Sequence, residues 1–152
     1  MRIAIGSDHA GYELKEYLRK TLGVQYEFID VGTTGPDSVD YPDFAEGVAR
    51  LVTGGDADFG ILLCGTGIGM SVAANKIPGV RAALVFDLYT GMQSRRHVDA
   101  NILVLGALVT GKGLALEIAK AWLETPFEGG RHQRRIAKIR RLEDDFHGST
   151  QK

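Results

Sequence analysis

Cysteine is almost absent from the sequence, since Cys64 is the single one among 152 residues. No intramolecular disulfide can form, and a zinc cluster of several thiolates is excluded. Long hydrophobic runs are missing too, because the run over residues 102–109 is far shorter than the ~18 apolar residues that suggest a membrane span. The first residues show no apolar segment with a cleavage site. We therefore expect no secretory signal, no membrane partner and a reducing cytoplasm as the compartment.

A large excess of either charge is also lacking, since the formal net charge is −1. The charge is unevenly spread: residues 1–130 hold 11 Lys and Arg against 16 Asp and Glu, whereas residues 131–152 hold seven against three. The basic segment is compatible with a nucleic-acid footprint or with a solvated helix face. Because Phe146 is its one aromatic residue and the whole chain is slightly acidic, we expect no nucleic-acid partner.

Short apolar runs rich in β-branched residues alternate with helical patterns along the chain. Predicted strands cover residues 2–7, 26–31, 59–64, 80–86 and 101–105. Predicted helices cover residues 10–22, 44–52, 68–76, 88–96, 114–123 and 130–142. The strands show little polar alternation, which indicates burial on both faces of a parallel sheet. We predict a three-layer, doubly wound, Rossmann-like α/β fold with five parallel strands and a C-terminal helix. Residues 1–147 form one domain in this interpretation, and residues 148–152 form a disordered tail.

Folds of this class bind ligands beyond the carboxyl ends of the strands, where the strand order switches direction. If the order is 2-1-3-4-5, the switch lies between the first and third strands. Residues 7–11 follow the first strand and residues 64–69 follow the third. We therefore expect the functional loops at these two places.

The loop after the third strand combines a thiol with three alternating glycines. Gly65, Gly67 and Gly69 would let backbone N–H groups crowd around an anion at the start of the next helix. A helix N-terminus also favours the thiolate form of a cysteine. The pattern is not a dinucleotide fingerprint, since Met70 stands where the last glycine would be. The competing interpretation is a buried cysteine beside a tight turn.

The loop after the first strand has the glycine spacing of a phosphate-binding loop, but Tyr12 and Glu13 stand where Lys and Ser or Thr should follow. A nucleoside triphosphatase is therefore not expected. Asp8 and His9 are suited to hold sugar hydroxyls and an anion. Their structural alternative is helix capping by Asp8 and a surface position for His9.

Basic side chains near the C-terminus form a second candidate group. Arg131 and Arg135 share one helix face and suit a phosphate, or they form a solvated face. His97 closes a helix just before the fifth strand, whereas His132 and His147 are interpreted as structural or surface residues. No metal-ligand spacing such as H-E-x-x-H is present, so we assign no metal.

Several stretches together resemble one family. They are residues 7–11, 40–42, 64–71, 73–76, 97–101 and 129–133. In this order and spacing they are similar to type B ribose-5-phosphate isomerase and its galactose-6-phosphate isomerase relatives. The resemblance extends from residue 2 to about residue 142.

The resemblance implies an aldose–ketose isomerase that converts ribose 5-phosphate into ribulose 5-phosphate through a cis-enediolate. It implies no cofactor and no metal. Cys64 matches the catalytic base, Thr66 the hydroxyl that moves a proton between the oxygens, and His97 the residue that opens the sugar ring. The family's active site is pooled from two subunits, so a homodimer or a tetramer with shared active sites is implied.

The resemblance also implies the substrate-binding residues. Asp8 and Tyr41 match contacts to sugar hydroxyls, and His9, Arg131 and Arg135 match the phosphate clamp. The anion hole for the enediolate matches the backbone amides of Gly65, Gly67, Ile68, Gly69, Met70 and Ser71.

Two positions depart from the family pattern. Val98 stands where the family has Asn after the ring-opening histidine, and Leu108 stands where it has a phosphate-binding Arg. A charge-assisted phosphate contact contributes about 1.5–3 kcal/mol. A tetrose phosphate, a hexose phosphate or a free sugar therefore remains an alternative substrate. A non-catalytic module that binds a sugar phosphate or a nucleotide is the alternative of a different class.

Overall fold

The computed structural model of the protein describes residues 1–148. The strands are β1 (Arg2–Ser7), β2 (Glu27–Asp30), β3 (Phe59–Cys64), β4 (Ala82–Leu84) and β5 (Ile102–Gly106). The helices are α1 (Tyr12–Leu22), α2 (Tyr41–Gly54), α3 (Ile68–Ala74), α4 (Leu88–Val98), α5 (Lys112–Glu124) and α6 (Arg131–Gly148). None of these helices is both long and apolar enough to cross a bilayer.

All five strands are parallel, and their order is β2-β1-β3-β5-β4. The assumed order 2-1-3-4-5 was wrong for the last two strands. Every residue of β5 is buried, whereas β4 has three half-buried residues. The longer apolar strand therefore takes the interior place, and β4 takes the edge. The switch in strand order still lies between β1 and β3, as predicted.

Helices cover both faces of the sheet, which confirms the predicted three-layer fold. On one face Ile3, Leu63 and Leu103 pack with Trp122 of α5 and with α1. On the other face Ala4, Leu62 and Val104 pack with α2 and α3. Burial on both faces explains why the strands show so little polar alternation.

Several element bounds differ from the predicted ones. β4 is shorter than expected. It begins later because the Asn101 side chain holds the preceding residues: its Oδ1 accepts from the N–H of Arg81 at 2.8 Å, and its Nδ2 donates to the carbonyl of Gly79 at 2.9 Å. α2 begins earlier, at Tyr41, with a proline in its first turn. α6 continues to Gly148, and the rest of the predicted tail lies outside the described residues.

Candidate active site

Cys64 is the last residue of β3, and its side chain is 5% exposed. The N–H of Gly67 donates to its Sγ at 3.2 Å, and the N–H of Ile68 donates to Oγ1 of Thr66 at 3.3 Å. Gly67 has φ of +80°, and a Cβ at this position would overlap the side chain of Leu84. The loop folds back over the thiol because glycine alone fits this conformation.

The backbone amides of the loop are only partly available to a ligand. Those of Gly67 and Ile68 donate to side chains, and that of Ser71 donates to the carbonyl of Gly67 at 3.0 Å. Within residues 1–148, the N–H groups of Gly69 and Met70 have no acceptor, as expected in the first turn of a helix. The Met70 side chain itself is fully buried in the core, so its backbone alone is placed to contact a ligand.

Tyr41, at the start of α2, packs on the start of α3. A Cβ on Gly69 would lie 2.7–3.0 Å from three ring atoms of Tyr41, so the close approach requires glycine. The ring side chain is 40% exposed. Tyr41 therefore lies beside the amides that follow Cys64, with part of its surface open.

The loop after β1 lies against the end of β3. The Asp8 N–H donates to the carbonyl of Leu63 at 3.2 Å, and its Oδ1 accepts from the N–H of Gly11 at 3.0 Å. Asp8 therefore closes the turn that precedes α1 and does not cap the helix, whose N-cap residue is Gly11 and which has no side-chain cap. His9 is exposed, and its Nδ1 accepts from the N–H of Val39 at 3.3 Å. Asp8 and His9 therefore lie beside the Cys64 loop, at the carboxyl ends of β1 and β3.

His97 lies at the opposite end of the sheet from Cys64, near the amino ends of the strands. α4 runs antiparallel to the strands, so its last turn is near the amino ends of β4 and β5. Asp99 holds this turn in place, since its carboxylate pairs with Arg81 at 3.1 Å and with Arg95 at 2.8 Å. A strand the length of β3 spans roughly 17–20 Å. His97 and Cys64 of one chain therefore lie too far apart to contact one small substrate.

A compact cluster surrounds His97. Its ring stacks on His132 with centroids 4.1 Å apart, and the Glu128 Oε2 lies 3.7 Å from Nε2 of His97 and 3.8 Å from Nε2 of His132. The ligand-type atoms of these three residues lie within 4.8 Å of one another, a spacing that a metal ion could use. Guanidinium nitrogens of Arg131 and Arg135 lie 3.5 Å from the two ring nitrogens of His132, which favours an anion over a cation.

Burial lowers the pKa of His132, and the positive charges of His97, Arg131 and Arg135 lower it further. The sequence interpretation counted His132 among structural or surface histidines and did not consider Glu128. Their closeness to His97 depends on α6 packing against α4, which the helical pattern of either segment does not reveal.

The predicted site residues thus form two groups. At the carboxyl ends of the strands, the structure brings together Asp8, His9, Tyr41, Cys64, Thr66 and the amides from Gly65 to Ser71. At the amino ends, it brings together His97, Arg131 and Arg135. Of the departing positions, Leu108 lies beside Gly65 and is 77% exposed, whereas Val98 follows His97 and is 41% exposed.

Comparisons with known proteins place this chain in a known family. A family model described as ribose/galactose isomerase matches residues 3–139. The putative sugar phosphate isomerase YwlF of Bacillus subtilis is 51% identical over 146 residues, which are 95% of this chain and 98% of that protein. Ribose-5-phosphate isomerase B of Escherichia coli is 46% identical over 143 residues, covering 93% and 96% of the two chains.

Solved structures show the same likeness. Ribose-5-phosphate isomerase B of Clostridium thermocellum is 52% identical with a TM-score of 0.95, over 96% of this chain and 99% of that one. The Mycoplasma genitalium enzyme, solved with bound ribulose 5-phosphate, is 44% identical with a TM-score of 0.90, over 94% and 96% of the chains. The resemblance predicted from the motifs is confirmed: the chain belongs to the ribose/galactose isomerase family.

Proposed function

We propose that residues 1–147 act as one isomerase domain that interconverts ribose 5-phosphate and ribulose 5-phosphate without a cofactor. The relatives named as this isomerase and the neighbour solved with ribulose 5-phosphate support the substrate class. The observation that carries the chemistry is the buried Cys64 thiol at the strand end, beside the open amides of Gly69 and Met70. With its single cysteine buried and unpaired, the enzyme suits a reducing cytoplasm and a role in pentose phosphate metabolism.

The proposed reaction moves a proton from C2 of the open-chain aldose to C1. The Cys64 thiolate takes the C2 proton, and the electron pair of that bond shifts toward the C1 carbonyl to form an enediolate. The Gly69 and Met70 amides are placed to stabilise the developing oxyanion, while Thr66 moves a proton from the O2 hydroxyl to O1. Return of the proton from Cys64 to C1 completes the ketose. No net oxidation of the substrate occurs, so the scheme needs no redox cofactor.

We further propose that the active enzyme is a homodimer, or a tetramer built from such dimers. The two groups of site residues lie at opposite ends of the strands of one sheet. His97, Arg131 and Arg135 would therefore complete the site around the Cys64 of a second copy. Exposed apolar side chains lie in the segments that follow β3, β4 and β5, and they suit burial between copies. They are Ile68, Val72, Phe86, Tyr89 and Leu108.

Leu108 favours one alternative within the same class. An exposed leucine in place of an arginine removes a positive charge beside the Cys64 loop. The protein would then act on a tetrose or hexose phosphate, or on a free sugar. A panel of pentose, tetrose and hexose phosphates and free sugars, ranked by kcat/KM, decides between these substrates.

Cys64 provides the test of the proposed chemistry. Cys64→Ser keeps an acceptor for the Gly67 N–H but replaces the base with a group that is not ionised near neutral pH. We expect kcat for ribose 5-phosphate to fall at least ~100-fold, since an essential base is lost. The assay is the appearance of ribulose 5-phosphate by NMR, with the melting temperature as the folding control. A variant that keeps more than about a tenth of the wild-type kcat contradicts the role of Cys64.

A further inference from the structure

Asp99 follows α4, two residues after His97, in a conformation that an L residue rarely adopts. Its φ is +50° and its ψ is +46°, and it is the one non-glycine residue with a positive φ among residues 1–148. Glycine is the usual residue at this place after a helix, because it has no Cβ to crowd the backbone. Glycine would give the same turn with less strain. An aspartate here therefore indicates that its side chain is needed.

The carboxylate of Asp99 is held from both sides. Nη1 of Arg95 donates to Oδ1 at 2.8 Å, and Nη2 of Arg81 donates to Oδ2 at 3.1 Å. The same guanidinium groups hold the backbone. Nε of Arg81 donates to the carbonyls of Val98 at 3.1 Å and Asp99 at 2.9 Å, and Nη1 of Arg95 donates to the carbonyl of Ala100 at 2.7 Å. We refer to Arg81, Arg95 and Asp99 as the Asp99 cluster.

Both arginines are anchored in the core and the sheet. Cζ of Arg95 lies 4.5 Å from the ring centroid of Phe59 in β3 and 5.4 Å from that of Trp122 in α5. Arg81 directly precedes β4, and its N–H donates to Oδ1 of Asn101 at 2.8 Å. The end of α4 is therefore fixed relative to the sheet and to α5.

The Asp99 cluster suits accurate placement more than stability. It brings two positive charges against one negative charge, and the side chains of Arg95, Arg81 and Asp99 are only 7%, 12% and 31% exposed. Removing charges from water opposes the gain from pairing them, so apolar residues of similar size often stabilise a fold as well. Ion pairs and hydrogen bonds provide direction instead, because each bond requires a defined geometry.

His97 is the side chain that needs this placement. It lies in the last turn of α4, and helix ends fray because their last carbonyls lack helical donors. The side chain of His97 is 39% exposed, so burial does not fix it, yet its ring stacks on His132 with an interplanar angle of 8°. Proton transfer is sensitive to position, since a shift of about 1 Å can cost about 100-fold in rate.

We propose that Asp99, Arg81 and Arg95 are positioning residues for His97, which hold the last turn of α4 so that the imidazole stays stacked on His132 and aligned for ring opening. The three residues act through His97. The inference rests on the proposed function for the step that His97 performs. Loss of the Asp99 cluster should therefore harm substrates that form a ring more than substrates that do not.

Proton NMR of the full-length protein tests the placement without relying on turnover. The chain has four histidines, and the Hε1 signal of His97 is assigned by its loss in His97→Asn. The ring current of the stacked His132 should shift this signal upfield in the wild type. Asp99→Gly keeps the left-handed turn but removes the carboxylate, and Arg81→Gln removes one guanidinium. In both variants we expect the signal to move downfield and to broaden.

Arg50→Gln is the matched control, because Arg50 pairs with Glu46 at the i, i+4 spacing of Arg95 and Asp99 but lies on the exposed side of α2. It should leave the His97 signal and the activity unchanged. The melting temperature shows which variants are folded. An unchanged His97 signal in folded Asp99→Gly and Arg81→Gln overturns the proposal.

Kinetics add a readout that a merely structural role would not give. For ribose 5-phosphate, kcat/KM should fall at least ~10-fold in Asp99→Gly, whereas for erythrose 4-phosphate, which cannot close a furanose ring, it should change less than about twofold. A fall of the same size on both substrates contradicts a role in placing His97. If the wild type does not isomerise ribose 5-phosphate but the His97 signal depends on Asp99 and Arg81, the proposed function fails and the placement of His97 stands.

Discussion

Two glycines determine what surrounds the thiol of Cys64. Gly67 adopts a left-handed conformation and touches Leu84, so the loop can bring an N–H to the sulfur. Gly69 lets Tyr41 lie flat against the first turn of α3. Each glycine thus permits one close approach that a Cβ would block, and the motif's spacing reflects these approaches directly.

At the residue scale, His97 should act on ring opening and not on the enediolate. Tetrose 4-phosphates cannot close a furanose ring, because the oxygen that would close it carries the phosphate. We expect His97→Asn to lower kcat/KM much more for ribose 5-phosphate than for erythrose 4-phosphate. Steady-state kinetics on both substrates measure this. An equal loss on both would indicate that His97 positions the site instead.

Leu108 tests the departure from the family at the same scale. Leu108→Arg places a guanidinium beside Gly65, at the groove that Leu108 lines together with His9 and Ala10, so KM for ribose 5-phosphate should fall by at most one to two decades. Val109→Arg is the matched control, since Val109 is exposed but does not line the groove. A rise in KM, together with good activity on a smaller sugar phosphate, would show that the pocket is built for another substrate.

At the scale of elements, His132 in the first turn of α6 makes the free energy of unfolding depend on pH. The folded state holds the pKa of His132 below its unfolded value of about 6.5, because the ring is buried against cations. Between the two pKa values the unfolded chain binds more protons than the folded one. The free energy of unfolding is therefore undiminished above the unfolded pKa and decreases as the pH falls through it.

Replacing His132 should remove this contribution. We expect His132→Asn to lose less stability than the wild type between pH 7 and pH 5, in urea titrations at several pH values. Gln133→Ala is the control, because the exposed Gln133 lies in the same turn as His132 and carries no titrating group. Identical pH slopes for His132→Asn and the wild type would exclude His132 as their source.

At the scale of the whole molecule, Cys64 and His97 lie at opposite ends of the sheet. A complete site would then need residues from two copies of the chain. If a second copy completes each site, Cys64→Ser and His97→Asn homodimers are both inactive on ribose 5-phosphate. Unfolding and refolding the two together should produce mixed dimers, each with one intact site. About a quarter of wild-type activity should return, since half of the dimers are mixed. Activity no greater than the sum of the separate variants would contradict a shared site.

The sequence by itself determined the class of the fold, the order of its elements and the loop around Cys64. Alternating apolar runs and helical periodicity are local patterns, and the glycines after Cys64 act within one turn of chain. Motif spacing was sufficient to identify the family, because six short stretches in a fixed order leave few alternatives.

Only the tertiary structure decided which residues from distant parts of the chain come into contact. The exchange of β4 and β5 depends on which strand buries more surface in the finished sheet. The stacking of His97 on His132 depends on α6 meeting α4, and the contact of Tyr41 with Gly69 depends on α2 meeting α3. These contacts join segments far apart in the chain, and their geometry is set by packing of the whole core, which no local pattern encodes.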